Sequence, residues 1–405
     1  MTNSEIAELT EQHTMNTYGR VPVAFVRGEG CRVWDADGKE YLDFVAGIAV
    51  NALGHAHPRL VRAVSEQVAA ITHTSNLYLI EPQARLAARL CELSFGDKAF
   101  FCNSGAEAVE GAVKLARKYG HTKRAEECHK IITAHQSFHG RTMTAITATA
   151  QPKYHKHFHP LARGFQYVQF NNLAALEETV DDNTCAVMLE PIQVEGAAVR
   201  IGEDEYLRGV RELCTKRGVL LIYDEVQTGA GRTGKWFGYE HSGAVPDVMT
   251  LAKALGGGVP IGALVASEKA AVFEPGEHAS TFGGNHLACA AALAVLDTLE
   301  EEKLLENARD RGGQLLDGIA ALQKKHPVIL EGRGKGLLLA MELKTKQARQ
   351  LQELCLENGL VLNALSETAV RIVPPLIVAA EECEEALRII EEALEGLPAE
   401  EGASG

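Results

Sequence analysis

The middle of the chain alternates short apolar runs with stretches whose apolar residues recur at helical spacing. Lys98–Asn103 reads as a strand and Glu107–Tyr119 as the helix after it. Lys130–Ala134 and Cys185–Glu190 read as further strands, with a helix over Glu203–Arg217. Val219–Glu225 is a β-rich buried run, and Asp247–Lys253 and Ile261–Ser267 look like two more. Strands alternating with helices predict an α/β fold built on a mostly parallel sheet covered on both faces.

A long helical pattern starts near His286 and runs through acidic Glu300–Glu302. Beyond it the pattern predicts a strand over Leu337–Leu343, a helix over Gln347–Asn358, a strand over Val370–Val373 and a helix over Glu381–Glu395. These elements suit a smaller C-terminal α/β domain. Val33–Phe44, with the turn signal Asp37-Gly38, reads as a hairpin packed on it. The expected division is an N-terminal segment over 1–55, a large domain over 56–290, a small domain over 291–398 and a disordered tail over 399–405, which is small-residue rich and acidic.

Composition narrows the partners. The core is ample, with 46% hydrophobic residues. Lys and Arg number 40 against 54 Asp and Glu, a formal charge of −14. Such a surface repels phosphate backbones and anionic membranes, so neither nucleic acid nor membrane is expected as a partner. A small anionic substrate would need a local basic pocket. The nine cysteines are odd in number and form no C-x-x-C pair. That argues against a disulfide framework and a zinc site, and no metal is expected. Met1–His13 lacks an apolar signal core, and no apolar run reaches the roughly 18 residues of a membrane span. A cytoplasmic location is expected.

Ligands of open α/β sheets bind beyond the carboxyl ends of the strands. Ser104-Gly105, Glu195, Asp224 and Lys253 all follow or close predicted strands there. Asn103–Glu107 caps a helix whose free amides favour a phosphate, although by itself the motif reads more readily as a plain N-cap, since capping signatures are common. Asp224 and Glu225 end a very apolar strand, where a carboxylate needs a cationic partner or hydrogen bonds. Lys253 lies between apolar residues and Gly256-Gly257-Gly258. Desolvation there lowers a lysine pKa toward the neutral amine that Schiff-base chemistry needs. The ordinary alternative is a surface lysine before a flexible loop.

Two further motifs are weaker. Gly229–Lys235 has P-loop spacing, but Trp236 stands where a Mg²⁺-binding Ser or Thr is required, which rejects an ATPase reading. His155-Lys156-His157-Phe158-His159 could present histidines to a metal, but no Cys or carboxylate lies beside it, so it reads as a polar loop.

In order and spacing, a set of segments resembles the class III, fold-type-I aminotransferases that use pyridoxal 5'-phosphate (PLP). They are Gly54–Pro58, Asn103–Glu107, Phe138-His139-Gly140-Arg141, Glu190-Pro191-Ile192-Gln193, Asp224-Glu225-Val226-Gln227, Ala252-Lys253-Ala254, Ser280–Asn285 and Arg371–Pro375. The resemblance covers about Tyr18 to Glu392. It implies that the large domain binds PLP, that Lys253 carries the cofactor and shuttles a proton, and that Asp224 keeps the pyridine nitrogen protonated. Phe138 and Val226 would pack on the ring, and Gln227 would lie near its hydroxyl. Ser104, Gly105 and Ala106 would hold the phosphate, joined by Thr281 from the second copy of a homodimer. Arg141 would bind the distal carboxylate of the substrate. Arg371 would bind the α-carboxylate of glutamate, with Glu195 masking it otherwise. Tyr18 and Ser280 would complete the substrate contacts.

The implied reaction moves the terminal amino group of Nα-acetylornithine to 2-oxoglutarate, giving N-acetylglutamate semialdehyde and glutamate, as in arginine biosynthesis. Ornithine, succinylornithine, succinyldiaminopimelate and 4-aminobutyrate are the alternative donors. A PLP aminomutase or decarboxylase of the same fold is a rival class, and intact Lys253 and Asp224 speak against an inactive scaffold. The chain departs from the family pattern at Ala106, Val194, Ala197 and His286, which bears on substrate fit.

Overall fold

Seven strands form the central sheet of the computed structural model, in the spatial order Lys98–Cys102, Gly262–Ala266, Val248–Leu251, Leu220–Asp224, Thr184–Leu189, Lys130–Ala134 and Phe165–Val168. Gly262–Ala266 runs antiparallel to both neighbours and the remaining pairings are parallel. Successive residues feed two separate apolar clusters: Val187, Leu221 and Tyr223 enter one, and Ala186, Met188, Leu220 and Ile222 the other. Burial on both faces explains why these strands read as continuous apolar runs. The described residues are 1–398, so the predicted disordered tail, 399–405, lies outside them.

A second sheet takes the order Ile329–Lys335, Leu338–Leu343, Ala369–Ile372 and Asn363–Ala364, antiparallel throughout. The hairpin Arg32–Asp35 and Glu40–Asp43 turns at Gly38, whose φ of +89° favours glycine. Its second strand pairs in parallel with Leu360–Val361, so the N-terminal hairpin is hydrogen-bonded to a C-terminal segment.

Several boundaries differ from the sequence reading for local reasons. The helix after the first sheet strand begins at Gly105 and extends to Lys123. Ser104 caps it by accepting from the Glu107 amide at 3.2 Å, and Glu107 reaches back to the Asn103 amide at 2.6 Å. The strand expected to close at Lys253 ends at Leu251, and Lys253 opens a short 3₁₀ turn over Lys253–Gly256. The helical pattern from His286 stops at Glu301, where Lys303 takes a left-handed φ of 55°. A second helix, Leu304–Lys325, then leads into Ile329–Lys335. The helices Pro58–Ala70 and Glu81–Leu93 were not anticipated.

The Gly229–Lys235 segment is tied to the second sheet through Arg232. Arg232 is wholly buried and donates from Nη1 to the carbonyls of Leu337 at 3.1 Å and Pro374 at 2.5 Å. The Leu337 amide returns a bond to the Arg232 carbonyl at 3.0 Å. Burial pulls the Arg232 pKa down to about 9 against the opposing charge of Asp43. Among the described residues, no helix is long and apolar enough to cross a membrane.

Candidate active site

The carboxyl ends of the parallel strands open onto a cavity of about 360 Å³. Ser104, Gly105, Ala106, Phe138, Glu190, Asp224, Val226, Gln227 and Lys253 all line it. Strand ends therefore bring together residues from widely separated parts of the chain, as the topology requires.

Asp224 ends its strand 95% buried and held at both oxygens. Oδ1 accepts from the Val226 amide at 3.1 Å and from Thr250 Oγ1 at 3.1 Å. Oδ2 lies 2.8 Å from His139 Nδ1. Thr250 sits opposite Asp224 in strand register, which supplies that contact. The fixed carboxylate suits a protonated ring nitrogen as partner.

Lys253 has a φ of 44°, a left-handed backbone that a lysine rarely adopts, immediately before a glycine run. Burial lowers its pKa from 10.5 to about 8, with the Glu195 carboxylate opposing and the Arg371 guanidinium reinforcing the shift. A lysine so placed releases its proton near neutral pH. Glu190 shows the converse. Burial first, and the Asp224 charge second, push its carboxyl well above the usual range, although the Phe138 amide donates to it at 3.0 Å.

The fit to a phosphorylated pyridine is visible in the backbone. The helix from Gly105 points its first amides at the cavity's edge, and a phosphate there would meet the positive end of a 19-residue helix. A Cβ on Gly105 would stand 2.8 Å from Val226 Cγ1, so glycine keeps this end of the cavity open. Ala106 lacks the hydroxyl that a Thr would offer the phosphate.

Arg371 lies on the strand Ala369–Ile372 with only 1% exposure. It pairs with Glu195 through Nη1, donates to Gln227 Oε1 at 3.1 Å, and donates from Nη2 to Asn363 Oδ1 at 2.6 Å. Gln227 Nε2 donates to the same Glu195 oxygen at 3.3 Å. Burial would raise the Glu195 pKa, but Arg371 and then Lys253 outweigh it and hold the carboxyl below its ordinary value. Arg141, by contrast, is exposed and stacks on Tyr154 and Phe138.

Other expected residues stand apart from the cavity. Thr281 and Ser280 line a separate hollow with Asn103 and Glu107, and Ser280 Oγ accepts from Asn103 Nδ2 at 3.3 Å. Tyr18 is 69% exposed against Arg20, away from the cavity. Val194 is fully buried in an apolar cluster with Val199, Leu338, Ala340 and Val373. It anchors the Glu195 loop to the second sheet and does not face the cavity. His155 Nε2 is engaged by the carbonyls of Thr149 at 2.7 Å and Ile146 at 2.9 Å, so that nitrogen is a donor and not a free ligand.

The sequence reading gave no role to His139, Glu190, Thr250, Asn363 or Tyr154. His139 and Glu190 lay inside segments already singled out. A polar residue inside a segment already singled out is the available signal only for these two; Thr250 and Asn363 become partners only through strand register.

Comparison with known proteins agrees with this geometry. Residues 14–394 match the family model for class III aminotransferases. The acetylornithine aminotransferase of Caldanaerobacter subterraneus subsp. tengcongensis is 55% identical over 384 residues, covering 95% of this chain and 98% of the relative. That of Gloeobacter violaceus is 55% identical over 394 residues, covering 97% and 98%. The solved ornithine aminotransferase of Toxoplasma gondii superposes with a TM-score of 0.94 at 35% identity, covering 98% of this chain and 96% of that one. The acetylornithine aminotransferase of Elizabethkingia anophelis gives 0.87 at 37% identity, covering 98% and 100%. The chain belongs to the class III aminotransferases, and is a PLP-dependent transaminase.

Proposed function

We propose that this transaminase moves the terminal amino group of Nα-acetylornithine to 2-oxoglutarate, yielding N-acetylglutamate semialdehyde and glutamate. The observation that carries the reading is the contrast between two arginines. Arg371 is buried and paired with Glu195, whereas Arg141 is exposed and stacked on aromatic rings. The donor reacts at a carbon without a carboxylate, and the Glu195 pair then satisfies Arg371. Glutamate reacts at a carbon that carries one, which displaces Glu195. Leaving the guanidinium buried and unpaired would cost several kcal/mol, so a switchable partner makes both half-reactions feasible. Arg141 is free to grip the far carboxylate of either substrate.

PLP, when bound, supplies an electron sink for the carbon that loses its proton. Asp224 would hold the ring nitrogen's proton, with Phe138 and Val226 packing on the ring and Gln227 near its hydroxyl. Ser104, Gly105 and Ala106 would hold the phosphate. Lys253 Nζ, whose pKa burial lowers to about 8 in the ligand-free chain, would act as the base that holds and moves the substrate's proton. Tyr18 and Ser280 belong to the substrate contacts in this reading.

The working unit in this reading is a homodimer in which Thr281 reaches the partner's phosphate site. Supporting it are Leu77, Tyr78 and Leu79, which are 87%, 71% and 102% exposed, and Phe282 at 60%, an amount of bare apolar surface unusual for a monomer. The proposed division into 1–55, 56–290 and 291–398 is supported by the separation along the chain of the seven-stranded sheet, whose strands lie between Lys98 and Ala266, from the second sheet, whose strands lie between Ile329 and Ile372. The nine unpaired cysteines support a reducing cytoplasm, and the donor would place the enzyme in arginine biosynthesis.

Ornithine is the strongest rival, since ornithine aminotransferases share the fold closely. The test compares kcat/KM for acetylornithine, ornithine, succinylornithine and 4-aminobutyrate with 2-oxoglutarate. Acetylornithine should lead. A lead of tenfold or more by ornithine or 4-aminobutyrate, about 1.4 kcal/mol of transition-state preference, overturns the donor while leaving the transaminase intact.

A further inference from the structure

Among the described residues, no carboxylate pairs with the positive charge of Arg141. Among the described residues it forms no ion pair and no side-chain hydrogen bond, yet its position is defined. Its guanidinium carbon lies 4.1 Å from the centre of the Tyr154 ring and 5.5 Å from that of Phe138. The two rings meet edge to face, 5.9 Å apart at 76°. Lys153 Nζ lies 4.9 Å from the same Tyr154 ring.

The turn bearing Tyr154, Pro152–His155, is itself pinned. Gln151 Nε2 donates to the Ser137 carbonyl at 2.8 Å, one residue before Phe138. His155 Nε2 donates to Thr149 and Ile146 carbonyls on the other side. Tyr154 is therefore a fixed platform, not a mobile surface ring.

Stacking has a particular advantage over an ion pair here. An aromatic face attracts a guanidinium without using any of its N–H donors. The long side chain loses rotational freedom before a ligand arrives, while its whole hydrogen-bonding fork stays available. With Lys153 on the same ring, the pair also makes a local positive patch on a chain of net charge −14.

We propose that Tyr154 is a specificity-determining positioning residue: it fixes Arg141, and so sets the preference for substrates with a carboxylate distal to the reacting carbon. The proposal rests on assigning Arg141 to that carboxylate. The ring, not the phenol hydroxyl, does the positioning.

The test uses the PLP-loaded enzyme and four variants: Tyr154→Leu, Tyr154→Phe, Arg141→Ala and the Tyr154→Leu/Arg141→Ala double variant. Each is assayed with 2-oxoglutarate and with pyruvate, which lacks a distal carboxylate. Each is also titrated calorimetrically with glutarate and butyrate. Tyr154→Leu should lower kcat/KM for 2-oxoglutarate by about 3- to 30-fold, the range spanned by cation–π contacts, chiefly through KM. Pyruvate turnover and butyrate binding should hold, glutarate binding should fall in parallel, and Tyr154→Phe should behave as wild type. The double variant should be no worse than Arg141→Ala, since both changes remove one interaction.

An unchanged 2-oxoglutarate-to-pyruvate ratio in Tyr154→Leu, beside a lowered ratio in Arg141→Ala, overturns the role of Tyr154 alone. Equal losses on both acceptors, additive losses in the double variant, or a Phe variant as poor as Leu overturn it too. An unchanged ratio in Arg141→Ala removes the assignment of Arg141 beneath it.

Discussion

His139 Nδ1 and Asp224 Oδ2 are 2.8 Å apart, and both side chains are buried. A carboxylate oxygen accepts, so Nδ1 carries the hydrogen. With Val226 and Thr250 on the other oxygen, Asp224 has no freedom to rotate. His139 is thus a positioning residue for the group that would face the pyridine nitrogen. Replacing it by Ala should lower the rate of the donor half-reaction by about 10- to 100-fold, the value of one hydrogen bond to a charged group. Asp224→Asn should cost more. Single-turnover rates alongside thermal melts decide this, and a His139→Ala half-reaction at wild-type speed removes the role.

Lys253→Ala should fold and yet lose turnover by at least about 10²-fold, the lower range for general acid–base groups. Its perturbed amine also leaves a stability signature in the apoprotein. The folded pKa is about 8 and the ordinary value 10.5. Between them the unfolded chain binds a proton that the native chain does not, so the native state gains stability as pH rises. The melting-temperature difference between wild type and Lys253→Met should therefore move toward wild type from pH 8 to pH 10. A flat or opposite trend contradicts the depressed pKa.

Glu195→Gln leaves Arg371 without its carboxylate whenever no substrate carboxylate replaces it. Donor kcat/KM should fall by about tenfold or more relative to that for glutamate, which brings its own anion. Equal losses on the two substrates would show that Glu195 does not act as the switch.

The bare surface at Leu77–Leu79 predicts its own titration. Light scattering at assay concentration should find a dimer, and Leu79→Asp should shift it toward monomer and lower activity together. An active wild-type monomer would falsify the shared-site reading.

The parallel sheet was legible because its strands are buried on both sides, and continuous apolar runs such as Leu220–Asp224 announce that directly. Lys253 and Asp224 were legible because a charge between apolar runs is costly and therefore informative. The break at Lys303 was not, since a lysine gives no warning of a left-handed backbone. The partners Thr250 and Asn363 were hidden for another reason: each depends on which residue stands opposite in the sheet, and register is a long-range property. Val194 looked like a neighbour of the substrate pocket from its place beside Glu195. Its side chain points the other way, into the apolar cluster under Arg371's strand.

Arg232 also bears on how the molecule comes apart. Its guanidinium can leave water only where the Leu337 and Pro374 carbonyls are already in place, and these flank the two middle strands of the second sheet. Peeling that sheet away would strand a desolvated cation inside what remains, so partial opening is penalised along this seam. Unfolding should thus be concerted across both sheets. In hydrogen exchange, the Leu337 amide and amides of the central strands should exchange with a common opening free energy, and calorimetry should record one heat-absorption peak.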